Sequence, residues 1–83
     1  MKVARLIQIL EQYEPDADVI IMTQPNYPFE NSLMGVTSRE EMFADVDDED
    51  DKIPESMDSS DVIILAGDQL RYGTKRAWGS AKR

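Results

Sequence analysis

Cysteine and histidine are both absent from this 83-residue chain. Their absence removes thiol nucleophiles, disulfides, imidazole bases, zinc fingers and most transition-metal sites together. A secreted domain this small usually needs a disulfide staple, so the chain reads as a cytoplasmic protein. Long apolar runs are missing as well. The longest, residues 19–22 and 62–66, fall far short of the roughly 20 apolar residues that span a bilayer, so no membrane partner is expected. After Lys2 and Arg5 the apolar positions are interrupted by Gln8, Glu11 and Gln12 with no small-residue cleavage site, so no signal peptide is read. Aromatic residues make up only 7% of the chain and apolar residues 41%, which suffices for one modest core of marginal stability. Residues 1–83 are therefore read as a single small domain.

Charge is abundant and segregated. The net charge is -8, and residues 45–61 carry all of it, with nine acids against Lys52 alone. Residues 71–83 hold five cations, Arg71, Lys75, Arg76, Lys82 and Arg83, and no acid. Attraction between these segments could draw the basic tail toward the acidic stretch, at roughly 0 to 1 kcal/mol per exposed pair. A net negative chain is repelled by nucleic acid and by anionic membrane, so direct nucleic-acid binding is disfavoured.

Val3, Leu6, Ile7 and Leu10 recur at i, i+3, i+4 and i+7, the spacing of an amphipathic helix over residues 2–13 that Pro15 brings to an end. Residues 18–23 form a β-branched run and predict a strand. Residues 24–31 contain Pro25 and Pro28 and predict a loop, because proline cannot donate to a sheet ladder. Residues 32–39 predict a second strand with Leu33 and Gly35 on one face and Met34 and Val36 on the other, or with a bulge at Gly35. Residues 40–44 can make a helical turn. The acidic stretch over about 45–60, with Pro54, has the composition of a mobile loop. Residues 61–67 give the strongest strand, closed by a turn at Gly67-Asp68, with Leu70 and Tyr72 on a short return strand. Thr74 is placed to cap a short C-terminal helix through Trp78, stopped by Gly79. The sum is an α+β domain: one N-terminal helix on a small, mainly antiparallel sheet of three or four strands, with parallel pairing of the first and last strands left open.

The opening, Leu6-Ile7 and Leu10 followed by Pro15-Asp16-Ala17-Asp18-Val19-Ile20-Ile21, and the closing Gly67-Asp68-Gln69-Leu70-Arg71-Tyr72-Gly73 with Lys75 and Trp78 together cover about half of the chain. In these two segments the chain resembles a group of small uncharacterised bacterial and phage proteins. The resemblance implies a small intracellular domain and carries over no catalytic residue.

A calcium loop in the acidic stretch would need glycine at its sixth position and a bidentate glutamate at its twelfth. From Asp45 those positions hold Asp50 and Ser56, and from Asp47 they hold Lys52 and Asp58. No metal or other cofactor is assigned. Asp47, Asp48, Glu49, Asp50 and Asp51 remain the candidate electrostatic residues, either a solvated loop that keeps the protein soluble or a mimic of a phosphate backbone that occupies a basic groove. The serines have no histidine partner, and a domain of this size has little room for a substrate pocket, so catalysis is not expected and no catalytic residue is named. The tail interleaves cations with Tyr72 and Trp78, a stacking pattern for single-stranded nucleic acid, but two of only six aromatics are better placed in packing.

Tyr27, Pro28 and Phe29 are the candidate protein-binding residues. Rigid aromatic side chains beside prolines are typical interface contacts, and Tyr-Pro often admits a cis peptide. The alternative for Tyr27 or Phe29 is to fold back over the end of the sheet. The function expected is therefore a non-catalytic protein-binding or accessory module. It would present the aromatic loop, and a sheet edge if one is open, to an unidentified protein or to a second copy of itself. An acidic inhibitor of a nucleic-acid-binding protein is the alternative.

Overall fold

The computed structural model describes residues 1–44 and 52–83. The candidate acids Asp47, Asp48, Glu49, Asp50 and Asp51 lie outside the described residues, as does the first part, residues 45–51, of the loop expected over about 45–60. The chain is α+β, as its pattern predicts. Helix α1 (Val3–Leu10), strands β1 (Ile20–Met22) and β2 (Phe29–Ser38), helix α2 (Arg39–Met42), strand β3 (Val62–Tyr72) and helix α3 (Arg76–Ser80) follow in order. The sheet is three-stranded and antiparallel in the order β1-β2-β3. The first and last strands are therefore not neighbours, and the parallel pairing left open by the sequence is not made.

Two compact units divide the chain, one of residues 1–33 and 66–83, the other of residues 34–65. In the first unit β1 pairs with β2 in the register Ile20↔Ser32, Ile21↔Asn31 and Met22↔Glu30. Three residues expected in the proline loop, Phe29, Glu30 and Asn31, thus belong to the central strand. The two prolines bar only positions 25 and 28 from the ladder, and β2 starts directly after the second.

Helix α1 shows the largest departure from the sequence pattern. Its inward residue is Ile9, only 7% exposed, with Leu6 half-buried, while Val3, Ile7 and Leu10 of the predicted apolar face remain exposed. The cause is the tail. Arg5, Ile9 and Gln12 follow i, i+4, i+7 and so share one side of the helix. On that side the Arg5 guanidinium donates to the Arg83 carbonyl at 3.2 and 3.3 Å, Lys82 Nζ donates to Gln12 Oε1 at 2.9 Å, and the same ammonium lies 4.5 Å from the centre of the Tyr13 ring. The basic tail is thus pinned along α1, which rotates Ile9 inward and leaves the Val3, Ile7 and Leu10 stripe outside.

β3 runs unbroken for eleven residues through Gly67-Asp68, where the sequence suggested a turn. Gly67 does not take the positive φ that a glycine turn would use, and its carbonyl accepts the Asn31 side-chain amide at 3.3 Å. The second unit holds the far halves of β2 and β3 and helix α2. Ser38 caps α2 with a full capping box: its Oγ accepts from Glu41 N at 3.2 Å, and the Glu41 carboxylate accepts from Ser38 N at 2.9 Å. The entry to β3 is tied to this helix by Arg39 N donating to the Asp61 carbonyl and Glu40 N to the Ser59 carbonyl, both at 2.9 Å. An Arg39–Asp61 ion pair at 3.4 Å reinforces the tie. On β2, Met34 and Val36 face outward, while Leu33 and Gly35 are half-buried, the alternation the sequence predicts. Among the described residues no helix is long and apolar enough to cross a membrane.

Candidate protein-binding site

The β1–β2 connection builds the site. Thr23 N donates to the Phe29 carbonyl at 3.2 Å and closes the hairpin, and the Gln24 side-chain amide crosses the loop to the Tyr27 carbonyl at 2.8 Å. Between these anchors Tyr27 adopts φ 53°, the left-handed region that non-glycine residues seldom occupy. Positive φ at a bulky residue costs about 1–2 kcal/mol and persists only where the surroundings enforce it. Here the Gln24 amide, donating to the Tyr27 carbonyl, holds it against the extended backbone that a following proline favours. The Tyr27–Pro28 bond is trans, so the cis peptide suggested by the sequence is not used.

The three sequence candidates part company. Tyr27 is 85% exposed, Pro28 is buried, and Phe29 is half-buried with its ring centre 5.2 Å from that of Tyr72 at 36° between planes. Both readings of the loop therefore hold, one for each aromatic residue: Tyr27 is presented and Phe29 folds back. The end of β3 supplies the opposite wall. Gly73 N donates to the Pro28 carbonyl at 2.8 Å, and Arg71 pairs with Glu30 at 3.0 Å. The approach is close: a Cβ at position 73 would stand 2.6 Å from Met22 Cε, the flexible end of that side chain, and 3.3 Å from Glu30 Cγ.

The result is an open groove of about 720 Å³ lined by Asn26, Tyr27, Pro28, Tyr72, Gly73, Thr74 and Lys75. Tyr72, 74% exposed, belongs to this lining and pairs its ring with that of Phe29. Two accessible phenols, a proline floor and one ammonium suit a partner that offers apolar surface with hydrogen-bond acceptors. Sequence reasoning found Tyr27 but assigned Tyr72 to packing, and it missed Gly73 and Lys75 as walls of the same groove. The signal available was Tyr72-Gly73 itself, a glycine after an aromatic at a strand end, which marks close backbone approach. Trp78 is half-buried, and its indole N–H has no hydrogen-bond partner among the described residues.

No family model matches this chain, and neither a curated protein nor a solved structure matches it. The site therefore stands on its geometry.

Proposed function

We propose that the chain is a non-catalytic protein-binding module that engages an unidentified protein through the groove between the 23–28 loop and the end of β3. The observation that carries this reading is Tyr27: a large aromatic side chain held almost fully in solvent by a backbone conformation that is itself unfavourable. Strain of this kind concentrates where a side chain must be aimed, and a tyrosine, with only two side-chain torsions to fix, loses little entropy on binding. Lack of cysteine suits such a module to a reducing compartment such as the cytoplasm.

The test is affinity capture from lysate at low and high salt with the intact chain, Tyr27→Ala and Tyr72→Ala. Specific capture should survive high salt and fall at least about tenfold in each variant, as for a central aromatic contact. Far-UV dichroism should stay unchanged. Capture that persists in both folded variants would rule the groove out.

A further inference from the structure

The groove beside Tyr27 differs in chemistry from the hollows around α1 and β1. Those carry carboxylates: Glu11 in one, Glu14 and Asp18 in another, Asp18 again in a third. Among the described residues the groove lining has none, and Lys75 is its one charged side chain. The Glu30 carboxylate, which approaches Gly73, is held by Arg71 at 3.0 Å.

Hydrogen-bonding capacity in the groove is one-sided as well. The carbonyls of Tyr27, Pro28, Thr74 and Lys75 already accept, from the Gln24 amide, Gly73 N, Ala77 N and Trp78 N respectively. Gly73 N is thereby engaged, and Pro28 has no N–H, so these walls offer little backbone to which a strand could add. What the lining still offers is chiefly donors. The Tyr27 and Tyr72 hydroxyls, the Asn26 amide and the Lys75 ammonium have no partner among the described residues. The Thr74 hydroxyl, whose oxygen accepts from Arg76 N at 3.4 Å, keeps its proton to donate.

We infer that the groove takes a proline-rich segment of the partner in the polyproline II conformation, with an acidic residue of that segment at the Lys75 end. The inference rests on the groove being the binding site. A proline-rich chain lacks N–H groups, leaves its carbonyls unpaired and presents apolar rings, the inverse of a donor-rich lining built on Tyr27, Pro28 and Tyr72. Its conformation is formed before docking, which suits it to aromatic-lined grooves. With no carboxylate in the lining, the Lys75 ammonium favours an acid on the ligand and disfavours a base.

The probe is decaproline, titrated into the intact, isotope-labelled chain with backbone amide shifts as the readout. Saturable shifts at Asn26, Tyr27, Tyr72, Gly73 and Lys75 with Kd below about 1 mM are expected, against none with a glycine-serine decamer. Tyr27→Phe removes only a hydroxyl at a position 85% exposed, so the fold is untouched, and binding should weaken about two- to tenfold. Two glutamates added to one end of decaproline should tighten binding about threefold. Lys75→Ala should abolish that gain, leaving the affinity for plain decaproline within about twofold. A thymidine decamer probes the other ligand that aromatics and a cation can hold. No saturable shift up to several millimolar decaproline, shifts confined to other elements, an equal response to glycine-serine, or tighter binding of the thymidine decamer each overturns the inference. Lysate capture that depends on both tyrosines while decaproline fails would discard this ligand class alone, whereas capture indifferent to both tyrosines discards the groove reading itself.

Discussion

Ile7 and Ile9 sit two residues apart on one helix and have opposite fates. Ile9 is 7% exposed and Ile7 50%, so the same truncation should have unequal costs. Ile9→Ala is expected to destabilise by about 3 kcal/mol, the usual cost of emptying a core position. Ile7→Ala should cost below about 1 kcal/mol, as surface changes do. Urea denaturation of both variants measures the difference, and equal losses would mean that α1 is rotated from the orientation described. Tyr27 gives a second separation. Its φ of 53° is one that glycine adopts freely. Tyr27→Gly should therefore keep or raise stability by up to about 1 kcal/mol while abolishing partner capture. A thermal melt and a pull-down on one preparation would read both effects. Gly73→Ala sets a methyl 2.6 Å from Met22 Cε and 3.3 Å from Glu30 Cγ, and because the nearer atom is the flexible end of a half-buried side chain that swings aside, the cost should stay below about 1 kcal/mol in the same denaturation assay.

At the scale of elements, α2 depends on its cap more than on burial, since none of its residues is buried. Ser38→Ala is expected to cost about 1 kcal/mol and to raise amide exchange at Glu41, whose N–H loses its acceptor. The capping box was legible in the sequence as Ser38-Arg39-Glu40-Glu41, an S-x-x-E signature that a reading focused on apolar periodicity passes over. Strand positions were legible because β-branched runs mark them locally. The continuity of β3 was not, since glycine followed by aspartate is also a turn signal, and only the Asn31 amide reaching across from β2 shows why the chain goes straight on. The face of α1 was illegible for a related reason. With Val3, Leu6, Ile7, Ile9 and Leu10 all apolar, the arc is too wide for periodicity to choose a side, and residues some seventy positions away decide it. In the candidate site Tyr27 was visible in the sequence, whereas its groove depends on the register that brings Tyr72 and Gly73 alongside.

For the molecule as a whole, the exposed liability is β3. It is a long edge strand with Val62, Ile64 and Leu65 exposed, the kind of edge that charged residues usually guard. Above room temperature, turbidity should therefore follow substitutions in β3 rather than in α1. The pinning of the tail has a further consequence, for synthesis on the ribosome. Arg5 waits for a carbonyl 78 residues ahead, and Gln12 for an ammonium 70 ahead. At translation rates of about 5–20 residues per second, the first helix emerges several seconds before the residues that orient it. During that interval the nascent helix has neither face committed. Residues made some seventy positions later thus help decide which side of this helix becomes interior, and a chain stalled before residue 82 would hold α1 without those contacts.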